Sequence, residues 1–443
     1  MTKVGARIQF LNHACVRIMT DTVTIVSDPW FSGSIFNHGW ELIWTSEQLF
    51  ATAADSDFVW ISHEHPDHFS PAFFRRLNGK KPDVVFQETR DRRVARYLAT
   101  QGLTVHEVNN HGVFHLSTVE RLTIVRNGLY DSWSLFESPR VKILNINDCI
   151  IKTDADLRAV KKRIGDVDVL LTQFSYAGWV GDRRNKSLRE RAATRRLDVV
   201  RKQIEYLEPA YVIPFASFAW FCNEENAYLN DSVNRIPDFL DRCADLRSVP
   251  IVMQPMETWC VGAAHDNGPA IQFWERAYDA ALSSETQKTR STLDVAALRA
   301  ECEAYRNRIF ARNSKRWMRL VSALPVLNLF RPVRIKLVDL GRTVRFSFFD
   351  ELREIEDTAT ADIEMSCDSL AFIFANEFGF DTLMVNARCS ASKRGLDLVM
   401  RNFAIGSLNA MGWSIGVGMF AMLAREVGLV WLVLRELKNV SPE

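Results

Sequence analysis

The chain has 443 residues, 47% of them apolar and 25% charged, with a formal net charge of +1. That composition is globular, with material for a large core and for two or three domains. The near-zero charge provides no field that would gather nucleic acid or an acidic membrane as a partner.

Met1 to Ala6 carries no apolar signal segment. The eight cysteines contain no C-x-x-C pair, which argues against a zinc ribbon or thioredoxin-like motif and for reduced thiols in a cytoplasmic protein. The first quarter reads as short β-rich runs, Arg7 to Phe10, Cys15 to Met19, Val23 to Ser27 and Asp57 to Ser62, with a helix from Pro71 to Leu77. Val84 to Phe86, Thr104 to Val108, Leu122 to Val125, Val141 to Ile146 and Val167 to Thr172 continue the strands. Arg189 to Leu207 has helical periodicity. Tyr211 to Pro214 and Ile251 to Met253 are short buried strands. Two strand series with helices between them predict sheet packed on sheet under helical outer layers.

From Ala264 the character changes. Ala270 to Ala280 and Leu293 to Leu320 are charged and helical. Arg331 to Val338, Thr343 to Phe349 and Ala361 to Ser366 read as strands, Asp368 to Asn376 as a helix and Thr382 to Ala387 as a strand. The expected organisation is a catalytic domain over 1–265, a helical linker over 266–329 and a small α+β domain over 330–443. The apolar stretch Met411 to Leu434 is interrupted by Arg425 and Glu426, so a buried helix pair is expected there and no membrane span.

The most informative segment is Ser62-His63-Glu64-His65-Pro66-Asp67-His68. His63 and His65 are two apart at a strand end and share a side. Pro66 turns the chain so that Asp67 and His68 return to the same point. Three imidazoles and a carboxylate this close would repel if protonated and waste burial if unpaired; divalent metal resolves both problems. His63, His65, Asp67 and His68 are therefore metal-ligand candidates, and Asp67 also carries the catalytic assignment. A solvated histidine-rich loop is the alternative, and Glu64 points outward.

H-x-H-x-D-H after a strand is the signature of the metallo-β-lactamase superfamily, which implies an αββα sandwich with metals at one edge of both sheets. Asn12-His13-Ala14-Cys15, Asp28-Pro29-Trp30 and Asn37-His38-Gly39-Trp40 resemble the catalytic domain of the CMP-N-acetylneuraminate hydroxylase family. Leu144-Asn145-Ile146-Asn147-Asp148-Cys149 and Pro214-Phe215-Ala216-Ser217 extend the resemblance, which covers roughly residues 5–262. Asp148 falls where the superfamily's bridging aspartate sits. The superfamily's later histidines are missing, since no histidine lies between His115 and His265. Asp131 and Glu224, or its neighbour Glu225, are the candidates to fill those positions. A carboxylate-rich set favours iron or manganese over zinc.

The resemblance implies a dinuclear non-haem iron oxygenase with two iron ions, hydroxylating or oxidising a small polar substrate. No Rieske signature is present, so an external ferredoxin or reductase is the expected electron donor. The alternative is a dinuclear zinc or manganese hydrolase of a lactone or phosphoester. His13 and His38 are candidates to orient ligands, and His111 to reach the site. The basic stretch Arg183 to Arg196 is either a solvated face or a lid over an anionic substrate. Asp362-Ile363-Glu364-Met365-Ser366 and Gly379-Phe380-Asp381-Thr382-Leu383 faintly resemble sterol-carrier-protein-like domains, which implies a hydrophobic pocket or a homodimer surface.

Overall fold

Strand alternation decides the architecture. In Phe58–Ile61 the side chains of Val59 and Ile61 join one apolar cluster while Trp60 joins another. Val84 and Phe86 likewise part from Val85. A strand buried on both faces needs cover on both, and here one face meets a second sheet and the other meets helices.

The computed structural model describes residues 5–288, 293–324, 328–356, 360–410 and 412–416. A seven-stranded sheet runs in the order Thr258–Cys260, Arg7–Asn12, Cys15–Met19, Thr24–Ser27, Phe58–Ile61, Asp83–Gln87 and Val105–Val108. It is antiparallel at its first end and parallel from Thr24–Ser27 onward. A second seven-stranded sheet runs Val249–Pro250, Tyr211–Phe215, Val169–Gln173, Lys142–Asn147, Asp131–Glu137, Arg121–Asn127 and Val113–His115. Between the two lies one core, where Phe10 and Ile8 of the first sheet share a cluster with Leu144, Leu170 and Ile213 of the second. Helices Glu47–Ala54, Pro71–Arg76 and Arg93–Thr100 cover the first sheet through Leu49, Phe73 and Leu98. Asp154–Ile164 and Lys186–Leu207 cover the second through Leu157, Val200 and Ile204. This is the αββα sandwich.

Helix Gly268–Leu282 packs Trp274 into that same core, stacked 4.1 Å from Phe218. Helix Val295–Arg312 belongs instead with a five-stranded sheet, ordered Arg353–Ile355, Arg342–Phe346, Val333–Leu337, Ile363–Met365 and Cys389–Ala391. Its Tyr305 sits among Phe346, Phe374 and Phe403.

Three sequence expectations change. Thr382 to Ala387 is no strand: Gly379–Asn386 is a helix whose buried Phe380, Leu383 and Asn386 recur every three residues. The β-branched Thr382 and Val385 concealed that spacing. Ile251 to Met253 is buried but is not itself a strand: the strand is Val249–Pro250, and Ile251 N adds one bond to Val212 O at 2.9 Å before the chain leaves the sheet. The run from Leu293 to Leu320 breaks into Val295–Arg312 and Lys315–Ala323, because the Ser314 side chain caps the second helix. All of Met411 to Leu434 except residues 412–416 lies outside the described residues. Among those described, no helix is long and apolar enough to cross a membrane.

The two parts meet at a loop with unusual backbone. Phe36, Asn37 and His38 have φ values of +51°, +52° and +57°. Such conformations are costly for non-glycine residues, and neighbours from the C-terminal part hold them. The Asn386 amide donates to Phe36 O at 2.9 Å, and fully buried Arg388 donates to Asn37 O at 2.6 Å. Arg388 also pairs with Glu225 at 2.8 Å and Asp368 at 3.0 Å.

Candidate metal centre

Three strand ends and one loop converge at the edge shared by both large sheets. Phe58–Ile61 delivers Ser62 and His63, and His65 to His68 form the turn that follows, with the His68 and Phe69 amides bonded back to His65 O. Asp131 begins the strand Asp131–Glu137. Its neighbourhood is pinned to Ser62 by the Ser132 hydroxyl, which donates to Ser62 O at 2.6 Å, and by Gln87, whose amide donates to Ser62 O and Tyr130 O. Asp148 follows Lys142–Asn147, where Asn147 turns the chain with φ +54°.

Side-chain atoms meet closely. His63 Nε2 faces His65 Nδ1 at 2.8 Å, Asp148 Oδ2 at 3.7 Å and Asp131 Oδ1 at 3.8 Å. His68 Nε2 lies 3.1 Å from Asp67 Oδ2 and 3.5 Å from Asp148 Oδ2. Asp148 thus stands between His63 and His68, and the donors fall into three overlapping groups, His63 with His65 and Asp131, His63 with His68 and Asp148, and His68 with Asp67 and His13.

The atoms behind the cluster fix which nitrogen points in. Buried Asp28 accepts from Ser62 N at 2.7 Å, Ser62 Oγ at 2.8 Å and Asn147 Nδ2 at 2.9 Å. His68 Nδ1, 3.0 Å from Asp28 Oδ2, therefore carries its proton there. Ser62 Oγ has spent its hydrogen on Asp28, so it accepts from His63 Nδ1 at 3.0 Å. In the neutral rings this places the hydrogen on Nδ1 and turns Nε2 of both imidazoles to the cluster, the arrangement metal ligation requires.

His13 behaves differently. Its Nδ1 accepts from Phe218 N at 3.2 Å, so the hydrogen of neutral His13 sits on Nε2, 3.5 Å from Asp67 Oδ2. That Nε2 is buried with no hydrogen-bond partner among the described residues, and in this tautomer it could join Asp67 and His68 on a metal only after losing its hydrogen.

The electrostatics ask for positive charge. Burial pushes His63 well below the ordinary imidazole range. Burial acts the same way on His68, but the Asp67, Asp148 and Asp28 carboxylates outweigh it and hold His68 well above that range. Burial works against charge on Asp67 too; His68 and His13 overcome it and leave the carboxyl well below its usual value. Asp148 is lowered in the same way, chiefly by His63 and His68 against its burial. Asp28 is raised, by burial. His68 Nε2, Asp67 Oδ1 and Asp148 Oδ1 are buried with no hydrogen-bond partner among the described residues. Each such atom costs on the order of 1–3 kcal/mol if left so, and a shared cation removes that cost. The donor set fits a metal cofactor, with nitrogen and oxygen donors mixed.

Glu224 is not brought here. It is exposed, and its backbone bonds to Gln287 and Arg183, because the turn after Ala219–Phe221 carries it toward the C-terminal part. Glu225 is taken by Arg388. At the expected late position stands Ser217, whose hydroxyl accepts from Phe174 N and Ser175 N at 3.0 Å each. His38 bonds Ser34 at 2.9 Å and His111 is exposed in a turn, so neither meets the cluster. In the basic stretch, Arg189 is buried on Asp231, while Arg191 and Arg195 are exposed. Sequence reading missed the positioning roles of Asp28, Ser62 and Asn147; the Asp28-Pro29-Trp30 stretch was the one signal available for the first.

A two-sheet sandwich with this histidine–aspartate edge defines a metallo-β-lactamase-fold protein. Residues 7–216 match the family model described as the Beta-lactamase superfamily domain, and this part of the chain belongs to that superfamily. Over 241 residues the chain is 23% identical to the cytidine monophosphate-N-acetylneuraminic acid hydroxylase of Danio rerio, a match covering 50% of this chain and 40% of that protein. The chain thus spans less than half of this relative's length. Among solved structures it resembles CmlA, a diiron beta-hydroxylase from Streptomyces venezuelae, at TM-score 0.42 and 17% identity, covering 58% of this chain and 55% of that one. It also resembles Igni18, a metallo hydrolase from Ignicoccus hospitalis, at TM-score 0.41 and 14% identity, covering 57% and 97%.

Proposed function

We propose that the chain is a dinuclear non-haem iron oxygenase that hydroxylates a small molecule. The observation that carries this reading is the donor set. Three imidazoles, His63, His65 and His68, meet three carboxylates, Asp67, Asp131 and Asp148, with no later histidine in reach. With Asp28 directly behind His68, four carboxylates balance two divalent cations. Carboxylates standing where further imidazoles would otherwise be make the set harder, which suits iron or manganese. Similarity to a hydroxylase adds support.

His63, His65 and Asp131 would hold one ion and His68 and Asp67 the other, with Asp148 shared. When bound, the pair supplies oxygen activation, and the protein supplies position and exclusion of water. Asp28 and Ser62 keep the His68 and His63 protons on Nδ1, and His13 steadies Asp67. Hydroxylation converts C–H to C–OH, placing one oxygen atom of O2 in product and the other in water. It consumes two electrons and two protons, so a ferredoxin or reductase is required as donor.

The test measures oxygen uptake and ester hydrolysis side by side on iron-, manganese- and zinc-loaded chain. Oxygen uptake with iron and a reductant, absent with zinc, supports the reading. Robust hydrolysis with zinc and no uptake with iron under any reductant overturns it in favour of a hydrolase.

A further inference from the structure

A cleft of about 400 Å³ opens beside His65, a volume in the range of small-molecule sites. The C-terminal part builds one of its walls, through Phe378 and Asp381 of the segment around helix Gly379–Asn386. Its rings run outward from the metal cluster in contact with one another. Phe36 and Tyr130 flank His65 at 6.0 and 6.5 Å, and Tyr130 meets Phe378 edge-on at 5.7 Å.

Charge in the cleft is one-sided. Glu64 and Asp381 face a single guanidinium, Arg93. Arg93 is already engaged: it pairs with Asp91, lies 3.5 Å from Glu64 and covers the Phe378 ring at 4.4 Å. Asp381 accepts from the Ser407 hydroxyl and keeps further acceptor capacity. Aromatic faces and spare carboxylate oxygens together favour a cation attached to an apolar ring. An anion entering the same space would meet two carboxylates and one neutralised arginine.

Building on the metal-centre reading, we propose that this cleft is the substrate pocket and that it selects an aromatic molecule carrying an amine. That departs from the small polar substrate expected from sequence, and it disfavours an anionic sugar nucleotide.

The test is calorimetric binding to the full chain, metal-free and iron-loaded, of 2-phenylethylamine, 3-phenylpropan-1-ol, 3-phenylpropanoate and cytidine monophosphate. The amine should bind at least tenfold more tightly than the propanoate or the nucleotide. Asp381→Asn, which preserves an acceptor for Ser407, should cut the amine's advantage at least threefold and leave the alcohol within twofold. Glu64→Gln should shift the ratio the same way, and decides the matter if the first variant does not fold. Equal or tighter binding of the propanoate or nucleotide, no binding of any probe, or an unchanged ratio in the folded variants overturns the proposal. Metal content and oxygen uptake on the same samples keep the two readings apart. Amine preference in a chain that retains no metal when iron is supplied sinks the oxygenase and spares the pocket; oxygen uptake without amine preference does the reverse.

Discussion

His68 turns its Nδ1 to the carboxylate of Asp28, 3.0 Å away and forty residues earlier in the chain. One carboxylate thereby ties the metal turn to Ser62 and, through Asn147, to the strand end that delivers Asp148. Asp28→Asn should lower metal affinity by roughly 10–100-fold, the usual effect of losing such a partner. Its amide nitrogen would also confront groups that themselves donate, at about 1–3 kcal/mol of folding stability. Chelator competition and thermal melting check the two effects. Unchanged affinity in a folded variant would remove Asp28 from the design.

Asp148 and Glu224 should separate cleanly. Asp148→Ala is expected to leave at most one metal ion per chain, since two cations would lose their shared anion. Glu224→Gln, far from the cluster, should leave metal content unchanged. Elemental analysis of both proteins is the check, and two ions retained without Asp148 would refute its bridging place.

Metal binding should release a proton. In the ion-free fold His68 is held above its ordinary value of 6.5. Its charge therefore stabilises that fold fully below about pH 6.5, and the contribution disappears as pH rises through the raised value. A cation must displace this proton, so affinity should climb with pH across neutrality by about tenfold per unit for one proton. Titrations at pH 7 in two buffers of different ionisation enthalpy would reveal the proton. A pH-independent affinity would contradict the assignment of His68.

Gly39 has no room to grow. A Cβ there would lie 2.5 Å from Asn386 Cβ and 3.0 Å from Phe36 O. Gly39→Ala should destabilise the protein by about 1–3 kcal/mol through overpacking, seen as a lower melting temperature. An unchanged melting point would mean the two parts are less closely fitted than their contacts indicate.

The metal turn was legible because its chemistry is local: the donors from His63 to His68 come from one short stretch. The two large sheets were legible because strands such as Val84 to Phe86 advertise their faces. Asp131 and Asp148 were reachable by resemblance and by scarcity of other donors. Glu224 misled because sequence proximity to a strand end does not say which way the next turn leads. Asp28 was legible only within the Asp28-Pro29-Trp30 stretch, and its role was not, since a carboxylate that serves another side chain shows its purpose only once His68 is packed against it. The cleft was hidden for a stronger reason: its walls, Tyr130 and Phe378, lie far apart in sequence and meet only when the C-terminal part docks. The helix over Gly379–Asn386, read as a strand, concealed the wall it carries.

The three left-handed residues Phe36, Asn37 and His38 keep a conformation that groups of the C-terminal part hold in place. Asn386 and Arg388 grip its carbonyls, while Phe36 presses its ring against His65. Phe36 packs in the same apolar cluster as Phe380 and Leu383, whereas His63, His68, Asp67 and Asp148 stand on the edge of the sandwich. The candidate metal ligands and the loop that faces His65 are thus held by different parts of the chain, the first by the sandwich and the second by Asn386 and Arg388.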